Sequence, residues 1–491
     1  MRRFLTLGLA VCFGLIASDA VRWLASATIA DETRSKASQM VAGTATRSVR
    51  DFGAKGDGTT DDSDAFQKAV DSKSGLVKIP RGQYRLTRPI VINLDKVGPT
   101  SVQGDGNPQI LMEGDGAAFH FVGTHQGTAD PETVKPEVWK RQSGPRIEGV
   151  QIVGTFAYAE GIVAEGTMQL TVSRVIVRHA LHGIRLTGRN RNVIISDSHF
   201  YENRGVGILL ERLNLHQINV TNCHVSYNRG GGIVVRESDI SNLHSGRRAT
   251  EANIAARVPS GAPTVLDSTG RLGREAAVVG CTIQHSKEPD GTANIRLIGR
   301  AHDDNTRVGN LTIADNVLSD VSINIHMVNA RGVTIVGNTL WQGHTHDILA
   351  ENCSNLVIAN NLLDRSPQYR DNLSPNSIIL RNCSDSTLNA LHINGSVATP
   401  AALLLDSCRR MNVTNCTLLN YQVGGILLVE PRDVRVSDCL IRNDDPTRIA
   451  DFAIRVNGGR DNMIADNLLG DPLDISRDAA ISQGNVERLE K

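Results

Sequence analysis

Four short segments with the same opening decide the fold of this chain: GIVAEG at residues 161–166, GIRLTG at 183–188, GILLER at 207–212 and GIVVRE at 232–237. Their first glycines lie 22, 24 and 25 residues apart. A near-constant period of this size is typical of a repeat architecture, in which each unit buries its apolar face only by stacking on its neighbours. Each unit contains Val- and Ile-rich runs that end at Gly, Asn or Asp, which predicts short strands and turns.

A second pattern, aliphatic-x-x-(Asn, Cys or Ser)-x-aliphatic, continues the repeat towards the C-terminus. Its central positions are Ser198, Cys223, Cys281, Asn316, Asn338, Asn361, Cys416, Cys439 and Asn467, with Leu391 in one variant. No unit holds a helix-length amphipathic segment, so we predict an all-β fold: a single-stranded, right-handed parallel β-helix (solenoid) with one repeat per rung. Equivalent positions on successive rungs would stack about 4.8 Å apart. We therefore expect Asn316, Asn338 and Asn361 in one ladder of bonded amides.

The composition limits the function. The 52 Lys and Arg residues balance 52 Asp and Glu residues, and this neutrality disfavours a general nucleic-acid-binding role. Seven of the eight cysteines fall in ladder positions or related turns, so we expect buried free thiols and not disulfides. No Cys-x-x-Cys pair occurs, which disfavours zinc, and the sequence predicts no cofactor.

The N-terminus predicts export. Arg2 and Arg3 precede an apolar run that is too short for a comfortable membrane span, and small residues follow. Residues 1–30 are therefore interpreted as a signal peptide, with a retained N-terminal anchor as the alternative. An exported chain would be periplasmic, on the cell surface or extracellular, with no stable membrane span after processing.

The rest of the chain divides by pattern. Two stretches interrupt the repeat: residues 125–145, interpreted as a loop over the outer wall, and residues 245–275, either an insertion or a degenerate rung. The predicted boundaries are 31–47 for a flexible leader, 48–95 for an N-terminal cap with the first strands, 96–475 for the β-helix and 476–491 for a charged tail.

The segment before the repeats has a signature of its own. It reads DFGAKGDGTTDD at 51–62, continues with a helical apolar stripe at 65–70 and then reads VKIPRGQYRLTRPI at 77–90. The short helix is predicted to plug the end of the solenoid, because an open core and unpaired strand edges are liabilities. Asp57, Asp61 and Asp62 are accordingly expected to be structural.

This opening resembles that of the pectate-lyase superfamily, which polygalacturonase-like enzymes and phage tailspikes share. The resemblance implies a right-handed parallel β-helix and, for many relatives, action on an acidic polysaccharide. The predicted export signal favours the bacterial branch. The close match covers only residues 49–90, and the loose rung pattern covers the rest.

Aligning the rungs on each Gly-Ile pair predicts a binding patch. His199 stacks on His224, Glu202 on Tyr227 and Arg204 on Arg229, each pair at the same distance from its Gly-Ile. Two arginines about 5 Å apart are unfavourable unless an anion offsets their repulsion. We therefore predict that Arg204 and Arg229 bind uronate carboxylates, flanked by His199, Glu202, His224 and Tyr227 as candidate catalytic residues. The alternative is that the arginines splay into solvent or pair with Glu202.

A pair of carboxylates is a second candidate. Glu165 and Glu211 lie two rungs apart in the alignment, or roughly 9.6 Å, at the upper edge of the separation in inverting glycosidases. They are predicted to bind substrate. The alternative is that they are ordinary solvated glutamates on the outer face. The polygalacturonase-type motifs Asn-Thr-Asp and Gly-His-Gly are absent from the sequence.

Two further segments carry candidate residues. The motif Arg-x-Pro-x-x-Arg occurs at 365–370, and by resemblance to pectate lyases Arg365 would abstract a proton and Arg370 would contact a substrate carboxylate; a bland loop is the alternative. The stretch WQGHTHDI offers Trp341 for sugar stacking or packing, and His344 and His346 at a spacing that could place two imidazoles on a metal. No third ligand is visible, so no metal site is predicted.

Two functions remain open from the sequence. One is an enzyme, a lyase, hydrolase or epimerase that acts on an acidic polysaccharide. The other is a non-catalytic exported β-helix that binds glycans or packs in an envelope layer. The fold alone does not separate them, and incomplete catalytic motifs favour the second while the family-like opening favours the first.

Overall fold

The computed structural model describes residues 47–127, 130–213, 216–236, 274–284, 292–299, 308–365, 374–447 and 450–488. Among these residues the chain coils through three parallel sheets, and each rung contributes one strand to sheet 1, then sheet 2, then sheet 3. Every strand pairs with the equivalent strand of the next rung, so all ladders are parallel. The predicted parallel β-helix is confirmed.

The strands are short, two to nine residues long, because each rung turns a corner after every strand. Sheet 1 contains Leu76–Ile79, Ser101–Gly104, Arg146–Glu148, Thr171–Ser173, Arg191–Ser196, His216–Thr221, Arg274–Val279, Val308–Ala314, Ala330–Val336, Ser354–Ala359, Ser384–Asn389, Arg409–Thr414, Arg432–Ser437, Asn462–Ala465 and Ala480–Gln483. Sheet 2 contains Asp57–Asp61, Gln83–Leu86, Gln109–Met112, Gln151–Gly154, Ile176–Arg178, His199–Tyr201, His224–Ser226, Thr282–Gln284, Val317–Ser319, Thr339–Leu340, Leu362–Asp364, His392–Asn394, Thr417–Leu419, Leu440–Arg442, Leu468–Leu469 and Val486–Glu487. Sheet 3 contains Ile90–Asn93, Gly116–Val122, Ala159–Glu165, Ile184–Gly188, Val206–Leu213, Gly231–Arg236, Ala293–Ile298, Val321–Val328, Gly343–Glu351, Ile378–Arg381, Leu403–Asp406, Gly424–Val429, Phe452–Asn457 and Leu473–Ile475.

The Gly-Ile segments begin or lie within strands of sheet 3. Their isoleucines, Ile162, Ile184, Ile208 and Ile233, are paired across successive rungs and are fully or almost fully buried. Since side chains alternate across a strand, the next residue of each segment points outward. This alternation sets which residues of the repeat can reach solvent.

The second pattern marks the corner between sheets 1 and 2. Asn316 donates its side-chain amide to Asn338 at 2.9 Å, and Asn338 donates to Asn361 at 2.9 Å. Asn338 also bonds to the Ile313 carbonyl at 3.0 Å, so the amides satisfy backbone groups that the bend leaves unpaired. The predicted asparagine ladder is confirmed.

The residue before each ladder position is Asp, Asn or Gly for a physical reason. Asp197, Asn222, Asp315 and Asn360 all have φ between 51° and 55°. Asp and Asn enter this left-handed region at lower cost than other side chains. The turn therefore restricts two adjacent positions. The first favours Asp, Asn or Gly for its backbone conformation, and the second is the ladder position.

The cysteines behave as predicted within the described part of the chain. Seven free and buried cysteines occur there: Cys223, Cys281, Cys353, Cys383, Cys408, Cys416 and Cys439. Three of them, Cys353, Cys383 and Cys408, lie in the turns between sheets 3 and 1. Their thiols lie within bonding distance of backbone carbonyls, for example Cys408 Sγ and the Leu380 carbonyl at 3.4 Å.

The N-terminal cap is also as predicted. The helix α1, Ser63–Asp71, buries Ala65, Phe66, Ala69 and Val70, and the Phe66 ring packs edge-on against Tyr84 at 5.3 Å. Asp62 accepts hydrogen bonds from the Lys55 and Gly56 amides, which is a structural role. The remaining helical segments are α2, Leu94–Val97, and α3, Pro136–Arg141, with 3₁₀ turns at Val49–Phe52 and Pro131–Thr133.

Three predicted segments compare differently with the structure. The interruption at 125–145 contains α3 and one 3₁₀ turn. The solenoid continues past residue 475, because Ala480–Gln483 and Val486–Glu487 pair with the preceding rung. These last strands are exposed, Ile481 and Val486 included, so they lack the buried apolar alternation of the earlier rungs. The signal, most of the leader and most of residues 245–275 lie outside the described residues.

Candidate functional site

The predicted patch lies on two adjacent rungs, at the corner between sheets 2 and 3. His199 and His224 are paired on the outer face of sheet 2, with ring centroids 5.7 Å apart and an interplanar angle of 88°. Glu202 and Tyr227 follow the two strands, with φ of 54° and 56°. Their equal backbone conformations place these two side chains one above the other.

Buried asparagines fix this corner. Asn203 donates to the Asn228 side chain at 2.8 Å and accepts from the Ala180 amide at 3.0 Å. Asn228 in turn donates to the Phe200 carbonyl at 2.9 Å. The residue that follows each asparagine, Arg204 or Arg229, therefore starts from a rigid backbone.

The sequence alignment was wrong by one residue on the preceding rung. When the rung before Gly183 is aligned in the same way, the sequence places Arg178 beneath Glu202 and Val175 beneath His199. In the structure Arg178 pairs with Tyr201 and Ile176 pairs with His199. The reason is that the corner before Gly207 holds one residue more than the corner before Gly183. His179 therefore lies beneath Glu202, and its Nε2 is 3.6 Å from the Glu202 carboxylate.

Arg204 and Arg229, the arginine pair, carry charge that no acid of the described segments neutralises. The Arg204 guanidinium donates to two backbone carbonyls, that of His179 at 2.5 Å and that of Phe156. Partial burial, together with the positive charge of Arg229, lowers the pKa of Arg204. Within the described part of the chain, neither guanidinium lies within ion-pair distance of a carboxylate. Of the two alternatives, pairing with Glu202 does not occur among the described residues, whereas Arg229 is exposed to solvent.

A charge ladder runs along the outer face of sheet 3 beside this corner. It consists of Glu160, Arg185, Glu211 and Arg236, which come from four successive rungs. Arg185 bonds to both Glu160 oxygens at 2.8 and 3.0 Å and approaches Glu211 at 3.8 Å, and Arg236 lies 3.2 Å from Glu211. The ladder is neutral overall and largely shielded from solvent.

The ladder bears on the predicted carboxylate pair. Glu165 and Glu211 are two rungs apart in register, with Thr187 between them. However, the neighbouring His120 imidazole, 3.2 Å away, lowers the pKa of Glu165, and Glu211 lies between two arginines. A glycosidase acid needs a raised pKa, so this geometry favours ion pairing over proton donation, and hydrolysis by the pair stays a prediction.

The remaining predicted residues lie farther along the solenoid. Arg365 follows the sheet 2 strand Leu362–Asp364 and is half-buried, with its amide bonded to the Asn394 carbonyl at 3.2 Å. Arg370 lies outside the described residues. Trp341 is half-buried at the next corner towards the N-terminus, and its carbonyl accepts from Asn324 at 3.0 Å. Neither residue contacts the arginine pair, which lies several rungs away.

His346 is a functional candidate that the sequence treated only as a possible metal ligand. A register irregularity near Gly343 turns it onto the outer side of sheet 3, opposite Ile323. Its Nδ1 lies 3.3 Å from Ser377 Oγ. Burial, together with the positive charges of Arg381 and His326, lowers the pKa of His346 to about 4. The imidazole is therefore neutral at pH 7, beside a cluster in which Glu351 lies 3.3 Å from His326 and 3.5 Å from Arg381.

The comparisons with known proteins match the chain in three pieces. Residues 46–139 match the family model "Rhamnogalacturonase A/epimerase, pectate lyase-like", residues 139–246 match "Right handed beta helix region" and residues 277–479 match "Periplasmic copper-binding protein (NosD)". The predicted resemblance and the right-handed parallel β-helix are thus confirmed. This protein is a right-handed parallel β-helix protein whose N-terminal segment is pectate lyase-like.

Individual relatives cover different shares of the chain. Alginate lyase 7 of Azotobacter vinelandii is 54% identical over 43 residues, which are 8% of this chain and 5% of that protein. Among solved structures, the pre-mature gene product 12 of bacteriophage phi29 has a TM-score of 0.52 at 14% identity, covering 90% of this chain and 56% of that one. The Agl-KA catalytic domain has a TM-score of 0.51 at 15% identity, covering 85% and 68%. At these identities the two structures establish a shared fold.

The copper in one of these descriptions finds no matching ligand set. Within the described residues, no three His, Cys, Asp or Glu side chains are placed to hold a metal ion. The same part of the chain contains no helix that is long and apolar enough to cross a membrane. The described residues therefore supply no ligand set for the copper named in that description.

Proposed function

We propose that this protein is exported and binds an acidic polysaccharide at the corner between sheets 2 and 3. The observation that carries the proposal is the arginine pair. Several other arginines on the outer walls have a carboxylate partner, for example Arg185 and Arg236, whereas Arg204 and Arg229 repel each other and have none among the described residues. An anion between them would remove this repulsion, and guanidinium groups bind carboxylates in a bidentate manner.

The geometry of Arg204 suits a binding role. Two backbone carbonyls hold its guanidinium in place without neutralising it. A guanidinium has five N–H donors, so donors remain for a ligand. Because the group is already ordered, binding loses less side-chain entropy than it would with a free arginine. His199, Glu202, His224 and Tyr227 then flank the bound sugar.

Replacing both arginines tests the proposal. The double variant Arg204→Ala/Arg229→Ala should lose at least about tenfold in affinity for polyuronate, since each charge-assisted contact is worth on the order of 1.5 kcal/mol or more. Binding by the parent protein should also weaken when the salt concentration is raised about tenfold, from about 50 to about 500 mM, because exposed charges are screened. Affinity electrophoresis or calorimetry with defined oligouronates measures both effects.

The chain offers a matched control for that experiment. Arg409 and Arg432 are also paired on adjacent rungs and exposed, but they lie on sheet 1, and Arg432 has Asp433 at 3.6 Å. The variant Arg409→Ala/Arg432→Ala removes the same charge from another wall and should bind polyuronate like the parent. Equal loss of binding in both double variants would mean that net charge, and not this corner, governs retention.

A second candidate function is elimination on the bound polymer. It is favoured by His346, which is neutral at pH 7 and lies three rungs beyond the Arg229 rung on sheet 3. A neutral imidazole can take the proton from the carbon that bears the carboxylate. The bond from the neighbouring carbon to the leaving sugar oxygen then breaks, which leaves an unsaturated chain end. The matches to an alginate lyase and to a pectate lyase-like family model support this chemistry.

Ultraviolet absorbance of unsaturated products measures this activity. We expect the parent to release them from a uronate polymer and His346→Gln to lose at least about a hundredfold in rate, the lower range for a general base. Because the base must be deprotonated and its pKa is about 4, parent activity should persist down to about pH 5. His392→Gln, an exposed histidine on sheet 2, is the control. Parent protein that binds uronate but releases no unsaturated product would leave a binding function alone.

A further inference from the structure

Phe156 is an exposed aromatic residue beside the arginine pair. It is 45% exposed and lies at the corner between sheets 2 and 3, after the sheet 2 strand Gln151–Gly154. Its backbone is held by a turn, because the Ala159 amide donates to the Phe156 carbonyl at 3.1 Å. A phenyl ring that stays exposed contributes little to folding. Its apolar face is therefore open to contact with a ligand.

Arg204 ties this turn to the predicted patch. Its guanidinium spans two rungs to reach the His179 and Phe156 carbonyls. Three successive rungs, about 10 Å in total, thus bring a planar apolar ring and an un-neutralised guanidinium to one surface. The contacts that hold Arg204 and the Phe156 turn involve the Phe156 carbonyl and not its ring.

We infer that Phe156 and Arg204 together form a subsite for a single uronate ring. The apolar C–H face of the pyranose packs on the phenyl ring, and the carboxylate of the same sugar meets the free N–H groups of Arg204. Aromatic rings supply large apolar contact area at low entropic cost, and the guanidinium supplies the charge. The inference rests on the proposed function and adds that the ligand must carry a sugar ring, so charge alone is insufficient.

A comparison of two polyanions tests the subsite. The probes are an oligouronate and an oligoglutamate of equal length, one with sugar rings and one without. Phe156→Ala should weaken the oligouronate about fivefold to tenfold, in line with one lost aromatic contact, and should leave oligoglutamate binding unchanged. Phe156→Tyr keeps the ring and should bind both probes like the parent, whereas Arg204→Ala should weaken both.

The variants are informative because truncating Phe156 leaves its carbonyl, and hence the anchor of Arg204, in place. Unchanged oligouronate affinity in Phe156→Ala would overturn the subsite while leaving the proposed function standing. Equal loss for both probes would also overturn it, because Phe156 would then only support the arginine. A parent that binds neither probe would overturn the proposed function, and the subsite with it. Thermal unfolding confirms that each variant is folded.

Discussion

Asp347 lies where earlier rungs carry buried amides at the corner between sheets 2 and 3. Asn294 donates to Asn324 at 2.8 Å, and Asn324 donates to Asp347 Oδ1 at 2.6 Å, which also accepts from the Gly343 amide. The second oxygen, Oδ2, is buried and has no hydrogen-bond partner. Burial raises the pKa of Asp347 to about 7, against the opposing effect of these hydrogen bonds. This carboxyl therefore titrates near neutral pH.

The stability of the protein should depend on this one group. The folded pKa is above the unfolded value, so the folded state holds its proton more tightly. Its contribution is present in full below about pH 4 and is lost as pH rises to about 7, by on the order of 4 kcal/mol. Asp347→Asn keeps an acceptor for Asn324 and Gly343 and cannot ionise. Urea unfolding at pH 4.5 and 7.5 should show a smaller loss of stability in the variant than in the parent; parallel losses would contradict the assignment.

Within an element, the ladder at the corner between sheets 1 and 2 shows which part of the repeat carries stability. Asn338 accepts from both the backbone amide and the side chain of Asn316, and it donates to Asn361. Cys and Ser fill the same position in other rungs, where a thiol or hydroxyl replaces part of this bonding. The position tolerates several small residues, but an amide bridges both neighbouring rungs.

Removing the Asn338 side-chain amide should therefore weaken the contacts with both neighbouring rungs. Asn338→Ala leaves the buried Asn316 backbone amide without an acceptor and removes one hydrogen bond from the side chain of Asn316 and one from that of Asn361, which should lower the free energy of unfolding by about 2–4 kcal/mol. The midpoint of urea denaturation, with the slope held in common, measures the change. Thr339→Ala, at the first residue of the sheet 2 strand that follows, should cost less than about 1 kcal/mol because its side chain bonds to no ladder residue. Equal effects for the two variants would show that the ladder is not the source of stability.

At the scale of the whole molecule, period and alternation predicted the architecture, because most rungs repeat an inward isoleucine at the same position of sheet 3 and the same turn. Register was harder to predict. One extra residue before Gly207 shifted Arg178 away from its predicted neighbour, and no residue type in that corner marks the insertion. The site was partly predictable: the equal offsets of Arg204 and Arg229 indicated the arginine pair. The position of Arg185 between Glu160 and Glu211 could not be predicted, because side chains from three rungs meet there. Phe156 could not be identified from the sequence, because it lies in an irregular turn outside the repeat pattern.

The charge ladder has a consequence for how such a protein can grow. Solenoids change length by gaining or losing repeats, but Glu160, Arg185, Glu211 and Arg236 alternate in sign from rung to rung. Deleting the Arg185 rung would remove the cation and bring Glu165 beside Glu211, since Thr187 separates them in register; duplicating it would stack one arginine on another. Length changes in this part of the molecule are therefore subject to a parity rule: pairs of rungs can be inserted or lost without bringing like charges together, whereas a single rung cannot.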